Sequence, residues 1–170
     1  RCRVVSLGDK KTSLEYGWGA EFQLQMEMTF ERFDVRGNKL TSIQQENLKY
    51  VFEAAAKFAE SPDGWLVLLG VNGCGKTHLA AAIVNYRHKM NKPALFIVVP
   101  DFLDHLRSTF SPDSAVTYDD LFESVRKTPL LILDDFGEQA GTPWAQEKLY
   151  QVVNYRYNSR LPTVITSSKS

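Results

Sequence analysis

Cysteine is scarce in this sequence: its 170 residues hold only Cys2 and Cys74. The two lie far apart, and neither has a second Cys or a His at ligand spacing, which excludes a disulfide framework and a zinc site. Charge of one sign is missing as well. Lys plus Arg equals Asp plus Glu at 20 each, so the net charge is zero and no global field draws the chain to a polyanion. Any nucleic-acid contact must come from a local patch. Nor is there an apolar run of the roughly 18 residues that a membrane helix requires. The opening RCRVVSLGDK lacks the apolar core and small-residue cleavage site of a secretory signal. The cytoplasm is therefore the expected compartment. Internal repeats and low-complexity tracts are absent too. Because Arg1 is not a start methionine and Ser170 follows directly on a strand, the sequence reads as a fragment.

What is present is an ordinary globular composition, 44% hydrophobic and 24% charged, long enough for one domain plus a short arm. Residues 1–28 show no strong periodicity; LEYGWGAEFQLQMEM, with its glycines and aromatics, reads as an arm, a linker or a short strand pair. The polar loop TFERFDVRGNKLTSIQQ follows, and its Phe30 and Phe33 read by themselves as core anchors. Thr41 or Ser42 can cap the next helix, with Gln45 in the capping-box position relative to Ser42. That helix sets Ile43, Leu48, Val51, Phe52, Ala55, Ala56 and Ala59 on one broad face, and SPDG ends it. Strand and helix then alternate. WLVLLG (65–70), ALFIVV (94–99), LLILDD (130–135) and TVITSS (163–168) are short apolar runs, the first typical of a strand buried on both faces. Between them lie helices from Lys76 to about Met90, over 101–110, over 118–128, and from Thr142 as N-cap with Pro143 first in the helix. Such alternation predicts an α/β domain on a parallel sheet with right-handed crossovers.

GVNGCGKT (70–77) satisfies the phosphate-loop pattern G-x-x-x-x-G-K-[ST]. Gly70, Gly75, Lys76 and Thr77 fill the required positions, Asn72, Gly73 and Cys74 lie between them, and His78 follows. The glycines let successive backbone N–H groups point at a β-phosphate, and the same donors open a helix whose dipole favours an anion. Lys76 bridges β- and γ-oxygens, and the Thr77 hydroxyl ligates Mg²⁺. ATP or ADP with Mg²⁺ is thus the expected ligand. Cys74 reads as a small residue fitting a tight loop, an oxidisable thiol being the alternative.

Mg²⁺ and an attacking water need a second, acidic site. LLILDD delivers Asp134 and Asp135 at the carboxyl end of an apolar strand, the end that faces the ligand crevice in an open parallel sheet. Asp134 is expected to hold Mg²⁺ through its water shell. Asp135 stands where many hydrolysing P-loop proteins carry a Glu general base. It can fill that role or simply make the turn before FGEQ, with Glu138 as the other acid nearby. At the end of the last strand Thr166, Ser167 and Ser168 can each sense a γ-phosphate or orient water, or serve as plain turn residues. YRHKMNK gathers Arg87, His88, Lys89 and Lys92 at a helix end, where the dipole favours cations with or without nucleic acid. Arg156 and Arg160, on the helix before the last strand, read as a solvated helix end, contact with a neighbouring subunit or DNA being the alternative.

Together, TFERFD, GWLVLLGVNGCGKTHLAAAI, LLILDDFGEQ and NYRYNSRLPTVITSS resemble the helicase-loader branch of the AAA+ ATPases, the DnaC/DnaI group, with IstB and DnaA as relatives. The resemblance runs from about Thr29 to Ser168. It implies a P-loop NTPase core of the AAA+/ASCE type over 29–170, a three-layer α/β/α fold on a five-stranded sheet in 5-1-4-3-2 order. Base contacts from Phe33, Asp34 and Val35 are implied, as is a sensor at Ser168 or its neighbour Ser167, where relatives carry Asn. The fifth strand, helical lid, arginine finger and second sensor would lie beyond Ser170. ATP would then sit between subunits of a ring or spiral, with Lys76 and Asp135 the catalytic residues and hydrolysis by this stretch alone weak.

The function implied by the resemblance is that of an ATPase that loads a replicative helicase in DNA replication and binds single-stranded DNA. An IstB-like transposition helper and a nucleotide-binding switch with little turnover are the alternatives. A P-loop small-molecule kinase is a further one, but the inserts between strands are short for an acceptor site and lid.

Overall fold

The computed structural model describes residues 3–4, 16–17, 25–37, 40–111, 117–137 and 141–168. Cys2, Glu138 and part of the LEYGWGAEFQLQMEM stretch lie outside the described residues. The chain divides into two compact units, Arg1–Pro62 with Thr77–Lys92, and Asp63–Lys76 with Pro93–Ser170.

In the first unit β1 (Arg3–Val4) pairs antiparallel with β2 (Tyr16–Gly17). Helix α1 spans Ser42–Glu60. Its cap is Thr41, whose hydroxyl accepts from the Gln44 N–H while the Gln44 side chain accepts from the Thr41 N–H at 2.9 Å. The capping box is thus Thr41 with Gln44, one residue earlier than Ser42 with Gln45, because Thr41 keeps an extended backbone and Ser42 is already helical. Ala55 and Ala59 are buried and Leu48, Val51, Phe52 and Ala56 half-buried, as the periodicity predicts. Ile43 departs from it: in the first turn it is 79% exposed, so the apolar face begins a turn later.

Helix α2 (Lys76–Lys89) belongs to this unit from Thr77 onward. Leu79 to Val84 are buried without a break, the pattern of an interior helix, and Ala80, Ala81 and Ala82 keep it slim. Phe30 meets Phe52 and Tyr86 edge-on at ring separations of 5.6 and 6.4 Å, and Phe33 stacks on Phe52 at 5.7 Å. The two Phe residues are anchors, tying the loop before α1 to both helices.

The second unit is a parallel sheet of β3 (Trp65–Leu69), β4 (Leu95–Val98), β5 (Leu131–Asp134) and β6 (Thr163–Ser167), in the order β3-β6-β5-β4. Numbered from β3 that is 1-4-3-2, the part of the 5-1-4-3-2 order that four strands can show; a fifth is not among the described residues. Helices α3 (Val99–Ser108), α4 (Tyr118–Lys127) and α5 (Pro143–Asn158) accompany it. Thr117 and Thr142 cap α4 and α5 by accepting from the N–H groups of Asp120 and Ala145, and Pro143 opens α5 as expected. Every residue of β5 and β6 is buried, and Phe102, Leu106, Val125 and Val152 extend the core from the helices.

Two expectations fail here. β3 is not buried on both faces. Leu68 is buried, while Val67 and Leu69 are 49% and 56% exposed. β3 is an edge strand of the described sheet, and its alternate residues turn to a face that the described residues leave uncovered. Arg156 is not a solvated helix end but wholly buried, with no exposed surface. Its Nε donates to Thr163 Oγ1 at 2.8 Å, Nη1 to the carbonyls of Arg126 and Thr128 at 3.0 and 2.7 Å, and Nη2 to that of Pro162 at 2.6 Å. Burial pulls this guanidinium's pKa down to about 10. The fork ties the end of α4 to the entry of β6, and Arg160 beside it stays exposed as expected. Among the described residues no helix is long and apolar enough to cross a membrane.

Candidate functional site

Strand register assembles the site. Leu69 lies level with Ser167 in the β3–β6 pair, and Leu133 with Ile165 in the β5–β6 pair. The carboxyl ends of these three strands therefore share one end of the sheet, where open parallel sheets bind ligands. The loop after β3 leaves from there, and its Gly70 N–H donates to the Ser167 carbonyl at 3.3 Å.

Within the loop, Gly73 and Gly75 take φ of +79° and +97°, conformations that a side chain disfavours. Lys76 folds back over them. Its ammonium donates to the carbonyls of Gly70 and Val71, both at 2.8 Å, and stands 3.9 Å from Cys74 Sγ. Asn72 and Cys74 are exposed. The Cys74 thiol closes on Gly70, where a Cβ would come within 2.8 Å of the sulfur. The loop is a curl of backbone with a cation at its centre, opening directly into α2, whose second residue is Thr77.

The acidic side is equally explicit. Asp134 ends β5 and is 5% exposed. Its Oδ1 accepts from the Thr166 hydroxyl at 2.6 Å, and the same hydroxyl accepts from the Asp135 N–H at 3.0 Å. The Phe136 N–H donates to the Thr166 carbonyl at 2.8 Å. Asp135 has φ +59°, in the left-handed region, which costs most L-residues about 1–2 kcal/mol and which Asp and Asn tolerate best. Asp suits that backbone better than a longer acid such as Glu would. Ser167 is buried at the end of β6 and Ser168 half-buried just beyond it.

The remaining predicted residues lie in the first unit. His78 Nε2 is 2.8 Å from the Thr29 carbonyl, to which it donates, and its ring meets Phe33 edge-on at 5.1 Å. Farther along α2, Asn85 Nδ2 donates to the carbonyls of Gln25 and Met28, both at 2.8 Å. Asp34 is exposed and its Oδ1 accepts from the Arg36 N–H at 2.9 Å, while Val35 is half-buried. The segment offered for base contact is thus fastened to α2 through His78 and Asn85.

The donor set suits Mg²⁺ chemically. Asp134 and the Thr77 hydroxyl are hard oxygen donors, and no group of three or more His, Cys, Asp or Glu at metal-site spacing exists among the described residues. Mg²⁺ usually keeps several waters and takes one or two carboxylates plus substrate phosphates, so it needs no such cage.

A model of the family described as IstB-like ATP binding protein matches residues 19–170. The chain belongs to that family. Over 149 residues it is 28% identical to the replicative helicase loader DnaC of Buchnera aphidicola subsp. Schizaphis graminum, an overlap covering 86% of this chain and 57% of that protein. It thus spans little more than half of that relative's length. Its fold is similar to a crystal structure of DnaI, with a TM-score of 0.67 at 24% identity over 87% of this chain and 76% of that one. It is similar also to the replication initiator DnaA bound to AMPPCP and single-stranded DNA, with a TM-score of 0.67 at 19% identity over 84% of this chain and 42% of that one. The fold of this IstB-like chain is accordingly the parallel α/β architecture of AAA+ P-loop domains, as the motif resemblance implies.

Two residues of this IstB-like domain have roles other than the sequence predicts. Thr166 was one of three sensor candidates, but its hydroxyl is engaged by the acid pair. Arg156 gave no signal, since an Arg near a helix C-terminus is ordinarily solvated.

Proposed function

We propose that the chain is the ATP-binding and hydrolysing part of a helicase loader. One observation carries the reading: strand register brings a glycine loop holding Lys76, and the Asp134–Asp135 turn, to the same end of one parallel sheet. In this reading the backbone N–H groups of 70–76 and the Lys76 ammonium bind the β- and γ-phosphates of ATP. Thr77 and Asp134 hold Mg²⁺, which when bound screens the charge of the phosphates. Asp135 orients and deprotonates the attacking water. Phe33, Asp34 and Val35 meet the base, and Ser168, with Ser167 beside it, senses the γ-phosphate. A neighbouring subunit of a ring or spiral supplies the arginine.

The similarity to DnaC supports a replicative helicase as the partner, and single-stranded DNA is the proposed nucleic acid. Beyond the neutral net charge, the second unit has a local feature that suits it. Phe110, 64% exposed, stacks on Tyr118 at 5.5 Å, and Tyr118 on Phe122 at 5.6 Å. Lys148 stands 5.4 Å from the Tyr118 ring and Arg107 5.0 Å from that of Trp144. Tyr118 lies between the other two rings, and Phe122 is buried. The exposed Phe110 ring is therefore the one an unpaired base would stack on, with Arg107 and Lys148 as the nearby cations. The Arg87, His88, Lys89 and Lys92 cluster adjoins Tyr86, whose ring packs against Phe30, and reads as the charged end of α2.

The test is ATP turnover by the chain alone, with single-stranded DNA, and with a replicative helicase. Stimulation by either supports the reading. Lys76→Ala should lower ATP affinity by at least about a hundredfold, since it removes the cation between the phosphates; unchanged affinity sinks the phosphate-loop assignment. The family's IstB description favours one alternative, a transposition helper, for which a transposase and not a helicase would stimulate turnover.

A further inference from the structure

We propose that Thr166 is the positioning residue of the acid pair: it sets the carboxylate of Asp134 and the backbone of Asp135 at once. The inference rests on the reading of Asp134 as the holder of Mg²⁺. Thr166 is buried, and it makes three bonds to three successive residues. Its hydroxyl donates to Asp134 Oδ1 at 2.6 Å and accepts from the Asp135 N–H at 3.0 Å, and its carbonyl accepts from the Phe136 N–H at 2.8 Å. A hydroxyl has one proton to donate. Here Asp134 takes it, so Thr166 has none left for a phosphate oxygen and does not act as a sensor.

The short bond fixes Asp134 by its Oδ1 and leaves Oδ2 as the oxygen that Thr166 does not hold. The bond to the Asp135 N–H steadies a residue whose φ is +59°. The next residue of β6, Ser167, takes the Gly70 N–H on its carbonyl at 3.3 Å. Two consecutive residues of one buried strand therefore brace the acidic turn on one side and the entry of the phosphate loop on the other. Removing the Thr166 hydroxyl should loosen the metal side and leave the phosphate side in place.

The experiment measures Mn²⁺ affinity by electron paramagnetic resonance with AMPPCP present, and AMPPCP affinity in EDTA. Thr166→Val keeps the shape without the hydroxyl. It should weaken Mn²⁺ binding by about tenfold to a hundredfold, the usual effect of losing a partner that orients a ligand, and leave metal-free AMPPCP affinity unchanged. Thr166→Ser should restore Mn²⁺ binding to within about threefold. If Asp134→Asn weakens Mn²⁺ binding but Thr166→Val does not, the role of Thr166 is overturned and the reading of Asp134 stands. If neither weakens it, the reading of Asp134 falls and the role of Thr166 with it. Should Thr166→Val not fold, Thr166→Cys replaces it, because a thiol is a poor donor. Wild-type Mn²⁺ affinity in Thr166→Cys overturns the proposal equally.

Discussion

Arg156 donates from Nε to Thr163 Oγ1 at 2.8 Å in a fully buried site, and among the described residues no acidic group shares in the bonds of its guanidinium. One hydroxyl and three carbonyl oxygens together hold the cation. Truncation to Ala would leave the Arg126, Thr128 and Pro162 carbonyls and the Thr163 hydroxyl facing a cavity. Arg156→Ala is expected to cost about 3–5 kcal/mol, and Arg156→Lys a large part of that, because an ammonium cannot reproduce the fork. Urea unfolding of the three proteins measures this; a loss below about 0.5 kcal/mol would contradict the clamp.

Asp135 combines a left-handed backbone with a proposed role as base, and substitution separates the two. Asp135→Asn keeps the backbone preference and removes the base, so single-turnover hydrolysis should stop while folding is unchanged. Asp135→Gly should fold at least as stably, and Asp135→Glu should lose about 1 kcal/mol to the φ of +59°. Hydrolysis by Asp135→Asn at the wild-type rate would leave Asp135 a turn residue only.

His78 fastens the segment before α1 by one bond to Thr29. His78→Ala should lower hydrogen-exchange protection of the Arg32 and Phe33 amides, which bond to the Thr29 and Phe30 carbonyls. The expected loss is about 1 kcal/mol, roughly fivefold in exchange rate, with the α1 amides unaffected. Uniform loss throughout α1 would mean that His78 supports the unit generally.

His105, half-buried in α3, has its pKa pulled below the ordinary 6.5 by desolvation. On acidification the unfolded chain takes up this proton first. The stability that His105 contributes is complete above about pH 6.5 and is lost as pH falls through the lower folded value. Urea midpoints at pH 7.5, 6.5 and 5.5 should decline for the wild type, and decline less for His105→Gln. Parallel slopes would assign the pH dependence to other groups.

How much of this was legible in the sequence followed the range of the interactions. GVNGCGKT and its flanking strand and helix are local, and the loop lies where the pattern predicts. Thr142 and Pro143 likewise announce α5, because a cap acts within one turn. The strand order could be named only through family resemblance, since nothing local tells β3 that its neighbour is β6, almost a hundred residues on. The clamp of Thr166 on Asp134 was illegible for the same reason, as it depends on the β5–β6 register. Arg156 was misread because burial of a cation is decided by which carbonyls converge on it, and these come from α4 and from the entry of β6. Ile43 shows the limit of periodicity: the face was right, but its first residue met nothing to cover it.

The exposure of β3 bears on how the chain behaves in solution. Val67 and Leu69 stand outward on an edge strand, and Val71, 75% exposed, follows them at the start of the loop. Among the described residues this apolar ridge lies along an edge strand, a combination that favours contact with other chains. Concentrated samples should self-associate reversibly and bind a hydrophobic dye, and Val67→Thr with Leu69→Thr should suppress both. Solubility and nucleotide recognition would then be set by neighbouring residues of the same short stretch, so screening buffers with and without nucleotide would probe both together.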